Sequence, residues 1–139
     1  MRWTIFFIAA ALVALALAPA LHQPLLSLPV LAFFSRVCHQ DPARSLWIAG
    51  VPMAVCARCF GIYTGALAGG LVRLNRQVAL RLLAVAATIN LLDVLAEAAG
   101  LHGNWAVVRL CLGCLLGTAM TLMMSAKSAD LANPIKLSS

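Results

Sequence analysis

Val55-Cys56-Ala57-Arg58-Cys59-Phe60-Gly61-Ile62-Tyr63-Thr64-Gly65 changes character along its length, from a Cys-x-x-Cys pair with an arginine inside it to a run of small and apolar residues. At 100° per residue, Cys56, Cys59 and Tyr63 share one side of a helix, and Ala57, Gly61, Gly65 and Gly69 form a small-xxx-small ridge on roughly the opposite side. Such a ridge lets two helix backbones approach closely in lipid. The stretch therefore predicts a membrane helix over 56–74 that packs through its glycines and presents its cysteines elsewhere.

Just upstream lies Cys38-His39-Gln40-Asp41-Pro42-Ala43-Arg44-Ser45, which adds a third thiol and an imidazole. Three thiols and a histidine are the number and type of groups that a tetrahedral zinc ion or a similar soft metal uses, making Cys38, His39, Cys56 and Cys59 the candidate ligands. The same Cys-x-x-Cys also suits a redox dithiol. Asp41-Pro42 reads as an N-cap with proline in the first helical position, opening a short helix that Gly50 and Pro52 end.

The surrounding chain is scaffold of one kind. Only 10% of its 139 residues are charged and 63% are hydrophobic, whereas soluble domains carry about 25% charged residues. The fold class expected is all-α: an integral membrane bundle of about four transmembrane helices with a short interfacial or re-entrant segment, in a single domain over 1–126. The formal charge of +6 gives no case for nucleic acid, because the basic residues stand at the ends of apolar runs, where they anchor helices in the bilayer.

The first span is expected over 3–21, after Arg2 and Trp3. Arg2 and Ala16-Leu17-Ala18 also fit a signal peptide, but the length of the apolar run favours an uncleaved helix. Residues 22–55 form the interfacial segment and loop: Pro24 and Pro29 break the apolar sequence, and Leu25, Leu26, Leu28, Leu31, Phe33 and Phe34 are expected to dip into the bilayer. Further spans are expected over 78–99 and 105–125, joined by a tight turn at His102-Gly103-Asn104, with a flexible polar tail over 127–139. Arg2, Arg73, Arg76, Arg81, Lys127 and Lys136 gather on one side, against Arg36, Arg44, Arg58 and Arg109 on the other. The positive-inside rule then places both termini in the cytoplasm and the Cys-His loop outside.

Asn90, Asp93 and Glu97 share a helix face near the outer end of the third span. Ionisable groups at that depth seek partners inside the protein, and Arg58 and Arg109 enter the membrane at the same level. The four charged residues read as a supporting polar cluster, or as a relay facing the cysteines. In the last span Arg109, Gly113 and Gly117 form one stripe and Cys111, Cys114, Thr118 and Thr121 another. The second Cys-x-x-Cys lies among leucines and reads as packing.

The pattern Cys-His-Gln-x-Pro-x-Arg-Ser at 38–45, followed by Pro-x-x-x-Cys-Ala-Arg-Cys-x-Gly-Ile-Tyr-x-Gly from Pro52 to Gly65, resembles the signature of the small prokaryotic membrane proteins grouped as domain of unknown function 2085. The resemblance extends more weakly through Asp93 and the Arg109–Gly117 segment. It implies a multi-span helical protein of the prokaryotic inner membrane, draws attention to Cys38, His39, Cys56 and Cys59, and brings no established activity.

Three classes of function follow. The first is a metal-binding membrane protein, most simply with zinc; because adjacent ligands such as Cys38-His39 are sterically awkward, His39 also fits a supporting role, with water, Asp93 or Glu97 completing the sphere. The second is a quinone-linked thiol-disulfide oxidoreductase, with Cys56 as nucleophile, Cys59 resolving and Cys38 exchanging. The third is an accessory subunit that recruits a membrane partner, or a second copy, through the Gly61/Gly65/Gly69 and Gly113/Gly117 faces. An odd set of three outer cysteines favours metal over disulfide exchange.

Overall fold

The computed structural model describes residues 2–21, 24–101, 103 and 105–132. Among the described residues five α-helices carry the fold: α1 (Arg2–Leu17), α2 (Pro24–Phe34), α3 (Ala57–Leu71), α4 (Arg76–Ala98) and α5 (Ala106–Ala132). Between α2 and α3 lies a β-hairpin, β1 (Ser45–Ile48) and β2 (Val51–Cys56). The architecture is mostly helical. Among the described residues, α4 and α5 are long and apolar enough to cross a membrane. At 1.5 Å per residue the 15-residue α3 and 16-residue α1 reach only about 22–24 Å, short of the roughly 30 Å hydrocarbon thickness.

The hairpin corrects the expectation of an all-α chain. The helix predicted after Asp41-Pro42 is one 3₁₀ turn, Pro42–Arg44, capped by the Asp41 side chain. Ser45–Ile48 then continue as a strand, with Trp47 opposite Pro52 and Ile48 opposite Val51. The two-residue connection has positive φ at both positions, 50° at Ala49 and 78° at Gly50, the backbone signature of a hairpin turn whose twist matches the flanking strands. Pro52 is compatible with a strand here because a two-stranded ribbon consists only of edges.

As expected, the 22–37 segment holds no helix long enough to cross hydrocarbon, but Phe34, expected to dip into the bilayer, lies in the core. The segment contains an eleven-residue helix with Pro29 inside, too short at about 16 Å to span hydrocarbon. Val30 and Phe34 face inward, joining Ala16, Ala18, Cys38, Met53, Ala54 and Val55 in the core, while Leu28 and Phe33 remain exposed. The side chains of Leu25 and Leu26, and His22 entirely, lie outside the described residues. So does the turn at His102 and Asn104. At the C-terminus α5 continues to Ala132, past the end expected for the last span, and 133–139 lie outside the described residues.

The glycine ridge is used within the chain. A Cβ on Gly61 would run into Leu110 O and the Cys114 backbone, one on Gly65 into Cys114 O, and one on Gly69 would sit 2.7 Å from Thr118 O. From the other side, Gly113 meets Arg58 O and Gly117 meets Ile62 O. The two stripes expected to recruit a partner or a second copy are therefore each other's partners, with α3 and α5 running parallel in backbone contact. Thr118 Oγ1 donates to Gly65 O at 3.0 Å, and Thr64 Oγ1 lies 3.2 Å from Cys114 Sγ. Cys114 is a packing residue, and Cys111 is exposed. On its other flank α3 packs on α1, with Gly70 against Phe6. Running antiparallel, α4 packs on α5, where buried Asn90 donates to Leu112 O at 3.0 Å. The N-termini of α3 and α5 and the C-terminus of α4 consequently meet at one end.

Because its Cβ would meet backbone that has no room to move, Gly65→Ala is expected to cost about 2 kcal/mol or more. Gly70→Ala, whose Cβ would find only ordinary contact with Phe6 at 3.5 Å, is expected to be neutral or slightly stabilising. Thermal unfolding of both variants in detergent checks this; equal melting behaviour contradicts the backbone contact.

Candidate metal centre

Cys38 reaches the site from the end of α2. The chain leaves that helix through Val37 N to Phe34 O (3.0 Å) and Cys38 N to Phe34 O (2.8 Å), with Phe34 fully buried beside Tyr63. The position of Cys38 is then fixed by Gln40, which has positive φ and whose Nε2 donates to both Leu31 O and Ala54 O at 2.9 Å. One side-chain amide thus ties α2 to β2 across the site. Further along, Ser45 Oγ donates to Asp41 O and Trp47 Nε1 to Pro42 O. Nearly every polar residue of the 38–45 motif therefore has a structural partner.

Cys56 ends β2 and occupies the N-cap position of α3, and Cys59 stands in the first turn of that helix. The Cys56 backbone N–H, which has no partner inside the helix, donates to Cys38 Sγ at 3.2 Å. The Sγ atoms of Cys38, Cys56 and Cys59 all lie within 4.8 Å of one another. None is in a disulfide. Hydrogen bonds from the Cys56 thiol, then the Cys59 thiol, hold the Cys38 thiol far below its ordinary value against the opposing effect of burial. Thiolate at Cys38 is the form that ligates a metal or attacks a disulfide. His39, by contrast, is exposed, and its ring nitrogens are not part of the thiol group.

One side of the thiol cluster rests on the apolar core. The other opens to a cavity of about 210 Å³ whose wall includes His39, Asp41, Arg44, Arg58, Glu97 and Arg109. The charges on that wall are organised by α4. Arg58 Nη2 is paired with Asp93, and Arg109 Nη2 with Glu97. Arg44 from the 3₁₀ turn reaches the same Glu97 at 3.1 Å and Asp41 at 3.3 Å. Arg58, Asp93, Glu97 and Arg109 are thus brought together as two ion pairs, one joining α3 to α4 and one joining α5 to α4. Sequence reasoning left out Gln40 and Arg44. The signal available was that both are polar positions within a compact motif, though nothing in the sequence names their acceptors.

Residues 38–123 match the family described as "Predicted membrane protein (DUF2085)". The chain belongs to that family. Over 47 residues it is 55% identical to "Uncharacterized protein MJ1492" of Methanocaldococcus jannaschii, a match covering 34% of this chain and 30% of that protein. No solved structure matches the chain. The matched region begins at Cys38 and extends past Arg109, so it contains the three thiols and both ion pairs.

Arg109 is only 4% exposed, and loss of its carboxylate partner strands a charge where water cannot answer it. Glu97→Ala is therefore expected to cost on the order of 2–3 kcal/mol, since removing one member of a buried pair is more damaging than removing both. Asp41→Ala, at an exposed pair and a cap, is expected to cost about 1 kcal/mol. Thermal unfolding in detergent compares them, and equal losses contradict the buried pair.

Proposed function

We propose that this is a multi-pass protein of the prokaryotic inner membrane whose outer face carries a metal site formed by Cys38, Cys56 and Cys59, with zinc or a comparable soft metal held for a structural or metal-handling role. In this reading α1 continued by the 3₁₀ turn at Ala18–Leu21, and α3 continued by the extended residues at its two ends, make up the length that neither helix has alone and join α4 and α5 in a four-span bundle, with α2 as an interfacial or re-entrant piece beneath the hairpin. The mutual approach of the three sulfurs within 4.8 Å is the observation that carries it. Thiolates around a tetrahedral ion at about 2.3 Å stand roughly 3.8 Å apart, so small side-chain adjustments suffice to close the set. His39, next to Cys38 in sequence and on the cavity wall, is given the supporting role from outside the coordination sphere in this reading.

Protein purified without chelator is expected to contain about one equivalent of metal, with the three thiols alkylated only after chelation. Serine at any one of the three is expected to lower metal content. His39→Ala is expected to weaken binding by about 10–100-fold at most, as outer-shell losses do. Elemental analysis with a thiol count reads all of these.

A second reading is favoured by the same closeness of three free thiols: thiol-disulfide exchange linked to quinone, with Cys56 as the attacking sulfur, Cys59 resolving and Cys38 exchanging. Metal-free protein with a resting disulfide among these cysteines would favour that reading and sink the first.

The orientation has its own test. Treating intact cells with a membrane-impermeant maleimide after chelation and reduction is expected to label Cys38, Cys56 or Cys59, because the Arg73-Arg76-Arg81 turn lies at the opposite end of the bundle. Labelling confined to inverted vesicles reverses the topology.

A further inference from the structure

The charged groups beside the thiol cluster cancel. Arg58 is matched by Asp93 and Arg109 by Glu97, while Arg44 reaches both Glu97 and Asp41. Among the described residues there, three guanidinium groups thus face three carboxylates, and no guanidinium is left over to offset negative charge on the sulfurs. With three thiolates a monovalent ion would leave two net negative charges and a divalent ion one. The cluster rests on one side against the apolar core around Phe34, Ala54 and Val55, where an uncompensated charge is costly. A trivalent centre with three thiolates is neutral.

The donor count points the same way. Among the described residues, the group able to hold an ion is three thiols, one donor short of the four that a structural zinc site takes from its protein. Trivalent arsenic and antimony form three bonds, favour soft sulfur ligands and fill the fourth direction with a lone pair, so three thiols satisfy them completely. In neutral water both are present as uncharged hydroxides. Such a guest needs no counter-charge on entry, and the cavity of about 210 Å³ beside the thiols has room for it, being equal to roughly seven waters at about 30 Å³ each.

We propose that Cys38, Cys56 and Cys59 together accept a trivalent metalloid, arsenic or antimony, from its hydroxide and hold it as a neutral pyramidal tris-thiolate. Three metalloid–oxygen bonds break and three metalloid–sulfur bonds form. Each thiol proton leaves with one hydroxide as water, and nothing is oxidised or reduced. This rests on the reading of the three cysteines as one ligand set made above. It adds an occupant that requires neither His39 nor water to complete its coordination.

The test uses full-length protein in detergent, stripped of metal and kept reduced with a phosphine, incubated with arsenite and freed of excess by gel filtration. About one equivalent of arsenic is expected to be retained, as for any ion held by one set of ligands, with X-ray absorption at the arsenic edge showing three sulfur neighbours and no oxygen. Cys59→Ser is expected to weaken retention by more than the roughly 10–100-fold of an outer-shell loss. His39→Ala is expected to leave arsenite binding unchanged, although the same substitution weakens zinc binding. If the Cys59 variant does not fold, the neighbour count on the unaltered protein decides. Protein that binds zinc through these thiols yet loses arsenite on gel filtration overturns this inference and leaves the metal reading standing. Arsenic held by two sulfurs and an oxygen overturns it as well. Arsenic held by three sulfurs in protein that takes up no zinc supports it and removes zinc as the occupant. Failure to retain either one removes both.

Discussion

Backbone contact between α3 and α5 is the constraint from which the rest of the arrangement follows. Lipid offers no hydrophobic drive for one apolar helix to prefer another, so association depends on packing and on polar groups that find each other. Here Gly61, Gly65 and Gly69 interlock with Gly113 and Gly117, and each would place a Cβ against the other helix's backbone. That fit sets both separation and register. Once Gly113 sits on Arg58 and Gly61 on Leu110, the N-terminal ends of α3 and α5 are level, and Arg109 comes to the depth of Cys59.

The third long helix is fixed to this pair by a different force. Much of the α4 surface is exposed apolar side chain, including Leu91, Leu92 and Leu95, and such a face gives lipid and protein equal welcome. Asn90, Asp93 and Glu97 break that symmetry, because in a low-dielectric layer their alternatives to protein partners are costly. Asp93 goes to Arg58 and Glu97 to Arg109 and Arg44. The same pairs line or brace the cavity beside the thiols, so the groups that fix α4 also set the electrostatic character of the site. Gln40 plays the corresponding part on the opposite side, binding carbonyls of α2 and β2 and holding Cys38 over the end of α3.

The sequence made the membrane character, the glycine ridge, the acid-bearing face of α4 and the three cysteines legible, since each rests on composition or on a helical period. Pairing was harder. The period shows that Gly61 and Gly65 share a face and that Gly113 and Gly117 share another, but a face does not name its partner, and a neighbouring protein looked as suitable as the same chain. The hairpin escaped because its strands are short, Pro52 lies in one of them, and its turn is Ala49-Gly50 rather than the Asn-Gly or Asp-Gly that announces positive φ at two positions. Pro29 hid α2, whose inward residues are held by the core around Phe34 despite the proline. His39 looked like a ligand by type and position, yet the turn that buries Cys38 leaves its neighbour on the surface.

A cluster of three sulfurs beside a charged cavity has a direct spectroscopic signature when a metal occupies it. X-ray absorption at the zinc edge of the zinc-loaded full-length protein measures the number and kind of nearest neighbours. The account predicts three sulfur scatterers at about 2.3 Å and one lighter nitrogen or oxygen scatterer at about 2.0–2.2 Å. A first shell made only of nitrogen and oxygen would mean that Cys38, Cys56 and Cys59 do not hold the metal, and would contradict it.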